Sequence, residues 1–315
     1  MKTEVWLVGS GQMAREYTQV LKGQNVSFLV IGRGEDSAKK FTEKTNVKVN
    51  LGGIDSFLKQ EPELPVAAIV CVGVEQLAFV TTHLLNYGVK RILVEKPGGT
   101  GCSELSDLVK LTAKNEAKVY LAYNRRFYSA TKKAIEIINK DNGVASFNFE
   151  FTEWSHKIGP LKKGKGVKEA WFLANSTHVA DLAFFLGGFP QEIHCHTSGG
   201  LDWHPSASIF SGSGISKKNA LFSYQANWQA PGRWTVEILT QYHRLIFCPM
   251  EKLQIQEVGS LAISFVDIDD RLDKEYKPGL YLQVKSFLEG NINPFCTIQE
   301  QMENMEYYNK MANYN

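Results

Sequence analysis

Residues 4–14 read EVWLVGSGQMA, a continuous apolar run that breaks into Gly9-Ser10-Gly11-Gln12-Met13-Ala14. A run without alternation suits a strand buried on both faces, as in a parallel sheet. The G-x-G-x-x-A that follows has a separate physical reason at each small residue. Gly9 permits the tight turn, Gly11 lets the backbone approach a pyrophosphate, and Ala14 lets the next helix pack on the sheet. The N-terminus of that helix then faces the phosphates. A lone motif of this kind is weak. Here it follows a strand, opens a helix and sits inside a βαβ pattern, which makes it a dinucleotide-binding signal.

Working outward, the apolar runs at 26–31, 66–72, 91–94 and 118–122 repeat the first, with helical stretches near 12–22, 35–45, 75–87 and 103–116. Strands alternating with helices predict an α/β, doubly wound parallel sheet (a Rossmann domain) over residues 1–122. The pattern changes after a helical stretch at 129–139. Residues 144–153 (VASFNFEFTE) alternate apolar and polar, the mark of a sheet with one buried face. Further strands are expected at 191–197, 206–211, 219–228, 233–240, 243–248 and 252–257, and helices at 175–186, 280–289 and 298–312. Residues 123–315 are therefore expected to form an α+β domain with a large mixed, mainly antiparallel open sheet.

The 315 residues suffice for two cores, and 35 Lys and Arg nearly balance 33 Asp and Glu, so no strong field draws nucleic acid or an anionic membrane. No secretory leader or membrane-spanning run is evident. The five cysteines are scattered and never paired as C-x-x-C, which reads as reduced thiols and a cytoplasmic location. His194 and His196 share a strand face but lack a third ligand nearby, so no metal is expected.

The cofactor choice turns on the end of the second run. An NAD-binding unit places a carboxylate there for the ribose 2′-hydroxyl. This chain has Ile31-Gly32-Arg33-Gly34, where Arg33 can pair with a 2′-phosphate. NADP is favoured, and the nearby Glu35 and Asp36 keep NAD open. The expected cofactor contacts are Gly9, Ser10, Gly11, Gln12 and Met13 of the turn, Gly32 and Arg33, Val72 at the end of its strand, and Glu95 with Lys96.

The fourth run ends in Val94-Glu95-Lys96-Pro97-Gly98-Gly99. Together with GSGQMA, the YNRRF at 123–127 and the NSTHVADL at 175–182, it resembles the glucose–fructose oxidoreductase and inositol dehydrogenase family (Gfo/Idh/MocA) of NAD(P)-dependent oxidoreductases. The resemblance covers nearly the whole chain in the right order. It implies that Lys96 is a catalytic lysine binding the reacting oxygen, a role suited to an ammonium that stabilises developing negative charge. It implies His178 as a second catalytic residue, able to exchange a proton near neutral pH. The family often carries Asp four residues before this histidine, and here that position is Ala174. Asn175 and Asp181 are placed to share its helical face. The resemblance also implies a homodimer or homotetramer, formed through a sheet face for which Phe147, Phe149 and Phe151 offer apolar side chains unless a helix covers them.

Candidate substrate contacts are Asn124, Arg125, Trp154, Trp171, Asn175 and Arg233, with Arg126 favoured as a structural ion pair. The lysine- and glycine-rich stretch 153–171 reads as a lid whose tryptophans stack on a sugar, or as a solvated loop. The expected activity is hydride exchange between NADP(H) and a secondary alcohol or ketone of a sugar, with a sugar nucleotide or acidic sugar of surface polysaccharide synthesis suggested by the basic loops. Free-sugar or inositol-type polyol dehydrogenation is the alternative within the class. A non-catalytic NAD(P)- and sugar-binding sensor is the alternative outside it.

Overall fold

The computed structural model describes residues 4–314. The chain divides into two compact units, one of Met1–Asn124 with Leu272–Met302, the other of Arg125–Arg271 with Glu303–Asn315. The sequence pattern places 123–315 in one domain. The segment 272–302 instead joins the first unit, for reasons that lie in its packing.

In the first unit the chain runs β1 (Val5–Val8), α1 (Gln12–Gly23), β2 (Phe28–Ile31), α2 (Glu35–Thr45), β3 (Val49–Asn50), α3 (Gly53–Leu58), β4 (Ala67–Val70), α4 (Leu77–Tyr87), β5 (Arg91–Val94), α5 (Cys102–Lys114) and β6 (Lys118–Leu121). These six strands are parallel, in the order β6-β5-β4-β1-β2-β3. Strands β1 and β4 are buried on both faces, which is why their sequences show no alternation. Helix α1 turns Ala14, Tyr17, Val20 and Leu21 inward, the spacing of one helical face.

The second unit contains α6 (Ser129–Lys140), β7 (Ser146–Phe151), α7 (Ser155–Ile158) and α8 (Thr177–Gly187), followed by β8 (Pro190–Ser198), β9 (Ile209–Ser216), β10 (Leu221–Asn227), β11 (Trp234–Leu239), β12 (His243–Phe247), β13 (Gln254–Glu257) and β14 (Ser264–Phe265). Its eight strands are ordered β14-β13-β12-β11-β7-β10-β9-β8, and only β7 and β10 are parallel neighbours. A large mixed, mainly antiparallel sheet is thus present.

Phe147, Phe149 and Phe151 all point into the core of this unit, where Phe184 of α8 meets the first two edge-on at 6.3 and 5.4 Å. That apolar face is covered by a helix of its own unit and is not left bare for a partner. The helix approaches so closely that a Cβ at Gly187 would lie 2.3 Å from the Phe147 ring. Strand β9 begins three residues later than its sequence suggests and runs on to Ser216 through Gly212 and Gly214. Cβ atoms there would fall 2.4 Å from Tyr224 and 2.7 Å from the Phe222 ring, so large rings on β10 take the space that side chains on β9 would need.

The chain then passes through α9 (Arg271–Glu275), α10 (Leu280–Glu289) and β15 (Cys296–Thr297) to α11 (Ile298–Ala312). Helix α10 lies against α1, where Gln24 Nε2 donates to the Tyr281 carbonyl at 2.8 Å. Strand β15 pairs antiparallel with β6 and so covers the edge of the parallel sheet. Among the described residues, no helix is long and apolar enough to cross a membrane.

Candidate functional site

In the first unit, the carboxyl ends of β1, β2 and β4 open on a cleft of about 640 Å³. Gly9 forms its floor with φ +134°, and a Cβ there would lie 2.6 Å from the Cys71 carbonyl oxygen. Only glycine fits this turn. A Cβ on Gly11 would meet nothing within 4 Å, so the backbone there borders open space. No side chain caps α1, which leaves its first amides to a ligand in the cleft. These features fit a dinucleotide pyrophosphate.

The far end of the cleft is built from two loops. Gly32 N–H bonds the Asn50 carbonyl and Gly53 N–H bonds the Gly32 carbonyl, holding the β2 and β3 ends together. Arg33 is exposed at the rim, and its Nη1 donates a long bond to Gln76 Oε1 at 3.4 Å. The Ser10 and Ser37 hydroxyls lie 2.9 Å apart. No carboxylate stands at the end of β2. Asp55 and Glu75 border the cleft from elsewhere, and Asp55 is engaged by His83 Nε2 at 3.0 Å. All seven turn and strand-end residues expected to bind cofactor, Gly9 through Met13 with Gly32 and Arg33, line this cleft, as does Val72. Ser37, Gly52, Gly53 and Gln76 line it too. Of these, the Leu51-Gly52-Gly53-Ile54 sequence was the available signal.

Lys96 follows β5 and is 8% exposed. The turn around it is held from both sides. The half-buried Glu95 carboxylate accepts from the Tyr17 hydroxyl of α1 at 2.8 Å. Burial raises the pKa of Glu95, against the lowering effect of that hydrogen bond and of the charges on Lys96 and Lys277. Burial and the Glu95 charge push the Tyr17 hydroxyl and the Cys71 thiol well above their usual ranges. On the other side Gln301, fully buried, donates from Nε2 to the Pro97 carbonyl at 3.2 Å and accepts from the Tyr123 hydroxyl at 3.1 Å. The Lys96–Pro97 peptide is cis. Asn124 is buried and donates to the Pro278 carbonyl at 2.9 Å. The returning segment thus braces the lysine turn, which explains why it belongs to this unit.

In the second unit, a single π-helical turn at Phe172–Ser176 leads into α8 and carries Asn175, with His178 one turn on. Such turns arise where side chains are re-aimed, often at functional sites. Asp181 does not stand as a bare partner on that helical face. It is wholly buried, and its carboxylate accepts from Arg126 Nη2 at 2.6 Å and Nε at 2.9 Å. Arg125 instead lies over the Trp234 ring at 4.9 Å, and the His178 and Trp234 rings are 6.4 Å apart.

A residue that the sequence reading passed over anchors this cluster. Glu153, 2% exposed just past β7, accepts from Asn175 Nδ2 and Ser176 Oγ, both at 2.8 Å on Oε1. Its Oε2 lies 3.8 Å from Arg233. Burial raises its pKa, opposed by those hydrogen bonds and by the arginine. A carboxylate at the polar end of an alternating strand gives no sign in sequence that it is buried. Arg233 lies between two indoles, 4.8 Å from the Trp154 ring and 4.5 Å from that of Trp234. Trp154 is exposed, whereas Trp171 is buried and meets Trp203 edge-on at 6.0 Å. Trp171 is therefore a core residue of its unit and not an open face on a lid. The lysine-rich stretch is tethered by buried Val167 and by Lys168, which donates to the Gly159 carbonyl at 2.8 Å.

Residues 3–123 match the model described as "Oxidoreductase family, NAD-binding Rossmann fold" (GFO_IDH_MocA). No curated protein sequence matches the chain. Among solved structures, levoglucosan dehydrogenase in complex with NADH and levoglucosan superposes with a TM-score of 0.79 at 15% identity, over 100% of this chain and 97% of that one. UDP-N-acetylglucosamine 3-dehydrogenase from Acidithiobacillus ferrooxidans gives 0.75 at 13% identity, over 99% and 97%. An oxidoreductase from Thermotoga maritima gives 0.78 at 18% identity, over 99% and 96%. At these identities the likeness establishes a shared fold.

Proposed function

We propose, from the match of residues 3–123 to the model of an oxidoreductase family with an NAD-binding Rossmann fold, that the protein is an NAD(P)-dependent dehydrogenase or reductase acting on a secondary alcohol or ketone of a sugar. The observation that carries this reading is the cleft at Gly9–Met13, where an uncapped helix and a glycine-only turn meet space for a dinucleotide. A dinucleotide bound there would supply, through its nicotinamide, the hydride donor or acceptor. The uncapped amides of α1 would hold its pyrophosphate, and Gly32, Arg33 and Ser37 would hold its adenosine ribose. Arg33, with no carboxylate at the end of β2, supports NADPH over NADH.

Lys96 binds the reacting oxygen of the sugar and stabilises the charge that develops there, because its ammonium is shielded from water and braced through Glu95 and Pro97. His178 contacts the substrate and exchanges a proton with it. The sugar dehydrogenases among the structural relatives support a sugar as the substrate class. A second reading, a cofactor- and sugar-binding sensor without turnover, is favoured by Ala174 at the position where the family resemblance gives an aspartate.

The test follows nicotinamide absorbance with NADPH and a panel of keto-sugars, and with NADP and sugars or sugar nucleotides, beside a Lys96→Met variant. Turnover that falls at least about a hundredfold in the variant, with cofactor affinity retained, is expected. Tight cofactor binding without hydride exchange on any member of the panel would favour the sensor.

A further inference from the structure

The loop that carries the chain from β10 past β7 to β11 ends in an arginine whose placement is unusual for a surface residue. Arg233 has a side chain 49% exposed, yet both of its neighbouring rings are fixed. Trp234 is 6% exposed, and Trp154 is pinned because its indole N–H donates to the Gly232 carbonyl at 3.0 Å. A long side chain free in water loses rotamer entropy when it binds a ligand. Here the two indoles have already removed much of that freedom. Its acidic neighbour, Glu153 Oε2 at 3.8 Å, is beyond hydrogen-bond distance, and the other carboxylate oxygen is occupied by Asn175 and Ser176. The charge of Arg233 is therefore positioned by Glu153 without its fork of N–H donors being consumed.

The surroundings carry both signs: Arg125 lies over the same Trp234 ring as Arg233, and the Glu150 carboxylate borders Gly232 beside it. His178, the proposed proton-exchanging group, lies 6.4 Å from that ring. A fixed, half-exposed guanidinium with open donors matches a planar or tetrahedral oxyanion.

We propose that Arg233, held between Trp154 and Trp234, docks an oxyanion (a carboxylate or a phosphate) carried by the substrate, so that the sugar bound by the second unit is an acidic one. The identity of the carrier as a sugar rests on the function proposed above, whereas the oxyanion site does not.

The experiment uses the full chain saturated with NADPH and follows the indole N–H resonances of Trp154 and Trp234 during titration with glucuronate, glucose 1-phosphate or glucose. At least one of the two anions is expected to move both resonances saturably, where glucose at the same concentrations does not. Saturation by glucuronate alone assigns a carboxylate, by glucose 1-phosphate alone a phosphate, and by both the shared oxyanion chemistry. Arg233→Gln is expected to weaken the anion roughly tenfold or more, with Arg233→Lys between it and the native protein. Circular dichroism of both variants reports that the fold is kept. Glucose binding as well as the anions, anion binding unchanged in Arg233→Gln, or no saturable shift with either anion would overturn the proposal. Hydride exchange and NADPH affinity, read on the same samples, report separately on the oxidoreductase reading. An Arg233-dependent anion shift in a protein that never turns over would leave this site standing and remove the enzyme.

Discussion

Replacing Arg33 by alanine gives a quantitative test of the cofactor assignment. A hydrogen bond to a charged group contributes about 1.5–3 kcal/mol. Arg33 is exposed at the cleft rim, so solvent screening reduces this to about 1–2 kcal/mol. Binding also gives up the long bond to Gln76, 3.4 Å in the free protein, at a cost of about 0.5 kcal/mol. The remaining 0.5–1.5 kcal/mol or so corresponds to NADPH affinity roughly two- to twelvefold weaker in Arg33→Ala. NADH has no 2′-phosphate, and its affinity is expected to change by less than about twofold, through lost contact with the adenine alone. The assay is titration of both cofactors, by their fluorescence, at low and high salt. The difference between native and variant protein should shrink at high salt for NADPH only. Parallel loss of both cofactors, or tighter NADH than NADPH binding by the native protein, would refute the assignment.

Two stability predictions concern the second unit, which holds five of the six tryptophans, so that fluorescence during urea unfolding reports mainly on it. Asp181→Asn leaves the Arg126 guanidinium, itself 5% exposed, buried beside a neutral amide and should cost about 3–5 kcal/mol. A loss under about 1 kcal/mol would mean that water or another group solvates the arginine. Glu153→Gln acts through pH. The native pKa of Glu153 is raised, so its contribution to stability is complete below the ordinary carboxylate value near 4.5 and is lost as pH rises through the raised value. A glutamine keeps an acceptor oxygen for Asn175 and Ser176 and does not ionise. The variant should therefore lack the native protein's fall in urea midpoint over that window, and a fall of equal size in both would locate the titration elsewhere.

The parallel half of the fold was legible because its strands are buried on both faces and read as uninterrupted apolar runs. The glycine turn then fixed the direction of the first βα unit. What escaped had too little sequence to carry a period. Strands β3 and β15 are two residues each, and α3 has six. Strand β9 is displaced from its expected place because glycines, weak strand formers, stand opposite the rings of Phe222 and Tyr224, with serines between and beside them. In the candidate site, the cofactor residues were readable because they are contiguous. Glu153 was not, because its burial depends on a π-helical turn some twenty residues away, and Trp171 looked like a ligand contact only because the core around Trp203 is assembled from distant segments.

Strand β15 and Gln301 leave the ribosome only after the whole of Arg125–Arg271 has been made. At about 5–20 residues per second, the nascent β6 edge waits roughly 10–35 seconds for its cover. During that interval the Pro97 carbonyl lacks the amide that later holds it, and an open strand is available to other chains. The nucleotide cleft, lined by residues 8–80, has its whole lining made well before that cover arrives. Synthesis order makes the lysine turn one of the last parts of the protein to be finished, and a fragment that keeps this turn braced would have to splice 4–124 to 272–302.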